Sequence, residues 1–169
     1  MDAIRSAVEK AVRHYEQDPD AGREQDSPAT AVHDGGLRFR VSGPHGEVVS
    51  DGSESVGGGA SAPTPGWYLR AAIAACDATV IAIEAARAGI SLSRLEVSVS
   101  SETDFRGTLA VDDSVPAGPL AVRVRVHIAS DDADEEALRA LVERSEALSV
   151  VGDAVSRATP LTTEIVVGD

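Results

Sequence analysis

The feature that most constrains this chain is the run WYLRAAIAACDATVIAIEAARA at positions 67–88, which holds no helix breaker and is apolar nearly all the way round. A helix with one apolar stripe can lie on a surface, but a helix that is apolar on most sides has to be enclosed. The fold must therefore cover it from several directions. Its polar residues keep to a stripe: Arg70, Asp77 and Glu84 recur at intervals of seven, close to one helical face. Cys76 lies about 100° from Asp77, on the apolar side. With Arg70 and Arg87 beside them, Asp77 and Glu84 read as a stripe facing solvent or a second subunit. Gly89 supplies the stop.

The remaining segments are candidates for that cover. Ile4, Ala7, Val8, Ala11, Val12 and Tyr15 recur at helical spacing and predict an amphipathic helix ending near Asp18-Pro19. Residues 17–29 are polar, with prolines and a glycine, and read as a linker, so residues 1–29 form a helix and linker ahead of a domain over 30–169. TAVHDGGLRFRVSG and GEVVSD, separated by Gly43-Pro44-His45-Gly46, predict a hairpin. GSESVGGGASAPTPG at 52–66 carries five glycines and two prolines and reads as a long loop, with Gly57-Gly58-Gly59 as a flexible pocket rim. That glycine run lacks the Lys-Ser/Thr of a phosphate loop.

Beyond Gly89, Leu95, Val97 and Val99 alternate with polar residues, as do Val122, Val124, Val126 and Ile128, predicting two antiparallel strands that face one core. SDDADEEALRALVERSEALS reads as a helix with an acidic start, not a calcium loop, and its apolar stripe is Leu138, Leu141, Val142 and Leu148, with Ser149 on the same stripe. A helical continuation to about Ala158, a turn at Thr159-Pro160 and a last strand LTTEIVV complete the chain. This order predicts an α+β fold, with two helices packed on antiparallel sheet.

The 169 residues suit one compact domain, and with aromatics at 3% the core must be built from Val, Ile, Leu and Ala. A net charge of −13 without a basic cluster argues against nucleic-acid binding. The single cysteine excludes an internal disulfide, and no segment reads as a signal core or membrane span, so a soluble cytoplasmic protein is expected. His14, His33, His45 and His127 lie on unlike elements without metal-type spacing, and no metal or other cofactor is expected.

The stretch PTPGWYLRAAIAACDATV at 63–80 resembles the motif that opens the central helix of OsmC-like proteins, through Pro63, Pro65, Leu69, Ala72, Cys76 and Thr79. The resemblance extends over roughly residues 30–169. It implies an OsmC-like α+β fold, an antiparallel sheet with a central buried helix and a second helix, assembled as an intertwined homodimer with its sites at the subunit interface. It also implies reduction of organic hydroperoxides by a pair of cysteines, as part of an oxidative stress response. This sequence keeps the first, Cys76, whereas the position of the second falls at Ser149-Val150-Val151, so Ser149 replaces it. A family glutamate near the start of the helix, which holds the catalytic arginine, falls at Gly66.

The chemistry follows from the thiol. A thiolate attacks the peroxide bond and becomes a sulfenic acid, which a second thiol then resolves. An ordinary cysteine is mostly protonated at neutral pH and needs a nearby cation, for which Arg38 and Arg40, on one face of LRFRV, are the candidates. Their plain alternative is a solvated strand face, and that of Cys76 is a small hydrophobe in the core. Two functions stay open. One is a thiol-dependent redox protein reducing organic hydroperoxides by a one-cysteine mechanism, with Cys76 and Arg38 or Arg40 as catalytic residues and an external thiol as reductant. The alternative is a non-catalytic dimer that binds a small apolar ligand.

Overall fold

The computed structural model describes residues 2–157 and 159–168. Helix α2 spans Pro65–Ala88 and is the centre of the fold. It starts where Thr64 accepts a hydrogen bond from the Trp67 amide and Pro65 brings its preset φ to the first turn. It stops at Gly89, whose φ of 75° lies in the left-handed region that favours glycine. A second device closes that end. The Arg5 guanidinium, on helix α1 (Asp2–Gln17), donates to the Ala86 carbonyl at 2.8 Å, so the N-terminal helix docks across the end of α2.

Strands β4 (Leu92–Glu102) and β5 (Ala121–Ser130) pair antiparallel, with Leu95 opposite Ile128 and Val97 opposite Val126. Those four side chains, with Ile90, Leu92 and Val142, pack on a buried centre of Ile81, Ala85 and Leu141. The expected shared core for the two strands is therefore present. A one-turn helix, α3 (Phe105–Thr108), lies between them where only turn residues were expected. Helix α4 (Glu135–Glu146) is capped by Asp134, which accepts from the Ala137 amide, and turns Leu138, Leu141 and Ser145 inward.

The segment 30–50 forms a three-stranded antiparallel meander, not a single hairpin: β1 (Thr30–His33), β2 (Phe39–Gly43) and β3 (Gly46–Ser50). Gly35 and Gly36, at φ 100° and 55°, turn the chain inside what the sequence suggested was one strand. This sheet is separate from β4–β5. The α+β class predicted from the element order holds.

Two expectations fail at the C-terminal end. Helix α4 ends at Glu146, with Ala147 as its cap, and a new short helix, α5 (Val150–Ser156), begins, so the predicted common stripe is broken: Leu148 is 49% exposed while Ser149 is 2% exposed. The expected strand LTTEIVV is irregular chain and pairs with neither sheet among the described residues. The predicted end of the helical continuation at Ala158 lies outside the described residues.

Candidate functional site

Cys76 is on the middle turns of α2, and α5 brings Ser149 to it. The Ser149 side chain caps α5, accepting from the Gly152 amide at 3.0 Å. Its hydroxyl oxygen lies 2.5 Å from Asp77 Oδ1 and 3.5 Å from Cys76 Sγ. One hydroxyl proton serves one of these acceptors, and the charged carboxylate at the shorter distance takes it. Cys76 is thus half-buried against a hydroxyl whose own partners are a carboxylate and a backbone amide. The family resemblance set Ser149 at the place of a second cysteine paired with Cys76, and the fold brings the two side chains into contact.

The acidic and basic residues of the α2 stripe are engaged by the rest of their own chain. Arg70 donates to Ser101 on β4 at 3.1 Å, Asp77 accepts from Ser149, and Glu84 holds Arg87 at 2.8 Å and Arg144 of α4 at 2.9 Å. Glu84 is buried with both carboxylate oxygens paired. A seven-residue spacing was legible in sequence, but the elements that meet it come from far along the chain.

Arg40 stands on β2, whereas Arg38, expected on the same strand, lies just ahead of it, and among the described residues neither bonds to Cys76 or Asp77. Arg38 Nε donates to Asp34 at 3.2 Å and Nη1 donates to Ser61 at 2.7 Å. Arg40 reaches Asp34 only at 3.9 Å. The loop that carries Ser61 is the glycine-rich stretch ahead of α2, and it is tied, not loose. Asp51 is 3% exposed and accepts from the amides of Gly52, Gly59 and Ser61 and from the Ser61 hydroxyl. The Ser61 amide and then its hydroxyl hold the Asp51 carboxyl below the usual carboxylate range. Sequence reasoning missed Asp51. Its only signal was an acidic residue between a strand and a glycine run.

A cavity of about 350 Å³ adjoins the Asp77–Ser149 pair, walled by Ile73, Val122, Val124, Gly152 and Val155. A second, open groove of about 650 Å³ lies between β5 and α4, with Val126, Ile128, Leu138 and Val142 at its floor. Among the described residues no group of three His, Cys, Asp or Glu is arranged to hold a metal, and no helix is long and apolar enough to cross a membrane.

The model of the OsmC-like protein family matches residues 57–164, well over half of the chain. No curated protein matches it in sequence. Among solved structures, an OsmC-like protein from Mycoplasma pneumoniae superposes with a TM-score of 0.69 at 13% identity, covering 80% of this chain and 91% of that one. An organic hydroperoxide resistance protein OsmC from Legionella pneumophila gives 0.58 at 18% identity, covering 79% and 90%. Another organic hydroperoxide resistance protein, from Elizabethkingia anophelis, gives 0.59 at 17%, again covering 79% and 90%. At these identities the likeness is one of fold.

Proposed function

The chain belongs to the OsmC-like protein family, and from that premise we propose that it is a thiol-dependent redox protein that reduces organic hydroperoxides through Cys76 alone. The observation that carries this reading is the 3.5 Å contact between Cys76 Sγ and the Ser149 hydroxyl oxygen. A cysteine that serves only as a small hydrophobe is packed among apolar atoms, whereas Cys76 is half-buried beside a polar pair. A hydroxyl at that place cannot condense with a sulfenic acid to a disulfide, so the oxidised sulfur waits for a thiol from outside.

The steps balance as follows. The Cys76 thiolate attacks the outer oxygen of the hydroperoxide, the O–O bond breaks, and a proton completes the alcohol that leaves; sulfur is oxidised to sulfenic acid. An external thiol displaces water to form a mixed disulfide, and a second thiol releases Cys76 with the external disulfide as product. Among the described residues no cation bonds to Cys76, whose side-chain partner is Ser149. We assign the cation that favours the thiolate to Arg38 or Arg40 of the partner subunit in a homodimer. The outward face of α2 beside Cys76, at Ala72, Ala75 and Thr79, is uncovered, and so leaves room for a second copy.

Peroxide consumption under excess dithiol tests the reading, with cumene hydroperoxide compared with hydrogen peroxide for wild type and Cys76→Ser. Cys76-dependent turnover, with intact mass showing one added oxygen or a mixed disulfide, is the expected result. No turnover and an unmodified thiol would overturn it. The apolar groove between β5 and α4 would then put the alternative in front, a non-catalytic dimer binding a small apolar ligand.

A further inference from the structure

Arg38 is held from two sides, by a carboxylate and by a hydroxyl. Its Nε donates to Asp34, and its Nη1 donates to Ser61 Oγ at 2.7 Å. Ser61 has a single hydroxyl proton, which goes to Asp51 Oδ2 at 2.8 Å, so the oxygen turns its lone pairs to the guanidinium. The bonds run in one direction, guanidinium to hydroxyl to buried carboxylate. Asp51 is fixed in turn by three backbone amides of the glycine-rich loop. Gly58 lets that loop close, because a Cβ there would overlap the Gly52 carbonyl. The Arg40 side chain has no hydrogen bond among the described residues, and its one carboxylate neighbour is 3.9 Å away.

We infer that Asp34, Ser61 and Asp51 are positioning residues that preorganise Arg38, and that Arg38, not Arg40, is the cation that serves the Cys76 thiolate. This rests on the redox reading above, in which the arginine meets Cys76 across two subunits. A guanidinium fixed through Nε and one Nη1 proton keeps its other N–H groups for a new acceptor. Its side-chain entropy has already been surrendered, so little is lost when that acceptor is a thiolate.

The test is the rate of Cys76 alkylation by iodoacetamide across pH in the full-length protein, with peroxide turnover followed in parallel. Arg38→Met and Ser61→Ala are expected to move the pH–rate profile to higher pH and slow alkylation at neutral pH by about tenfold, while Ser61→Thr, which keeps the hydroxyl, stays with wild type. Circular dichroism checks that each variant folds, and the exposed Ser61 pair carries the test if Asp51→Asn does not. A shift in Arg38→Met with none in Ser61→Ala overturns the positioning role and leaves the redox reading intact. A larger shift for Arg40→Met than for Arg38→Met overturns the choice of cation, and no shift in either overturns the inference. Shifted profiles without Cys76-dependent turnover sink the peroxide reading and leave the Arg38 clamp standing.

Discussion

Ser149 decides what Cys76 can become. Its side-chain oxygen is 3.5 Å from Sγ, so a sulfur in its place comes within range of a disulfide after a small rotation. Ser149→Cys is therefore expected to lose two hydrogens in intact mass on mild oxidation, and the same substitution in a Cys76→Ser background is not. An oxidised Ser149→Cys protein that keeps both thiols would show the two positions to be farther apart than this. Glu84 makes a different demand. Its side chain is 3% exposed against 58% for Arg144, so removing the acid frees two arginines to reach water, while removing the arginines strands a buried charge. Arg87→Ala with Arg144→Ala should cost about 3 kcal/mol in a denaturant melt, and more than Glu84→Ala; the reverse order would mean that Glu84 is better solvated than its burial implies. Sequence carried the identities of these residues but not their meetings. Cys76 and Ser149 are 73 positions apart and Arg5 and the Ala86 carbonyl 81, and no local pattern records a contact made by tertiary packing.

The loop between β3 and α2 acts as an element although it has no regular structure. Gly58→Ala should open it, because the added Cβ overlaps the Gly52 carbonyl, and faster amide exchange over residues 52–61 without loss of the α2 signal would register this. Its acid stability follows from Asp51, whose folded carboxyl is held below the ordinary value of 3.8 by Ser61. The contribution is fully present above that value and is lost as pH falls through the lower folded one. The melting-point gap between wild type and Asp51→Asn should therefore be constant near neutrality and close below about pH 4; a gap that widens in acid would reverse the sign. Elements with strong periods were legible: α2, β4, β5 and the body of α4 stand where alternation or the helical repeat put them. The break at Ala147 was not, since the apolar spacing runs on through Leu148 into α5. Only the capping of α5 by Ser149 gives the break away. Asp51 escaped notice because its partners are mostly backbone amides, which every sequence has.

At the scale of the molecule, the chain has more apolar surface than it covers. Leu161, Ile165, Val166 and Val167 are between 81% and 93% exposed, in the segment whose composition predicted a strand. A strand is completed by a neighbour's N–H and C=O groups, so composition alone foretells the tendency and not the pairing. Both small sheets offer free edges, and the middle of α2 is uncovered on the side of Ala72 and Ala75. Each large aliphatic side chain taken from water contributes about 1.5–3 kcal/mol, so four of them outweigh a good part of the entropy cost of association. Light scattering should find a dimer at micromolar concentration. Deleting residues 161–169 should shift it towards monomer, lower its thermal midpoint and, on the proposed reading in which the cation comes from the partner subunit, slow Cys76-dependent peroxide turnover as well. A truncated chain that stays dimeric would assign the interface to α2 and the free sheet edges instead. A monomeric wild type that still turned over peroxide would require the cation to come from its own chain, and with it a movement of the N-terminal sheet towards Cys76.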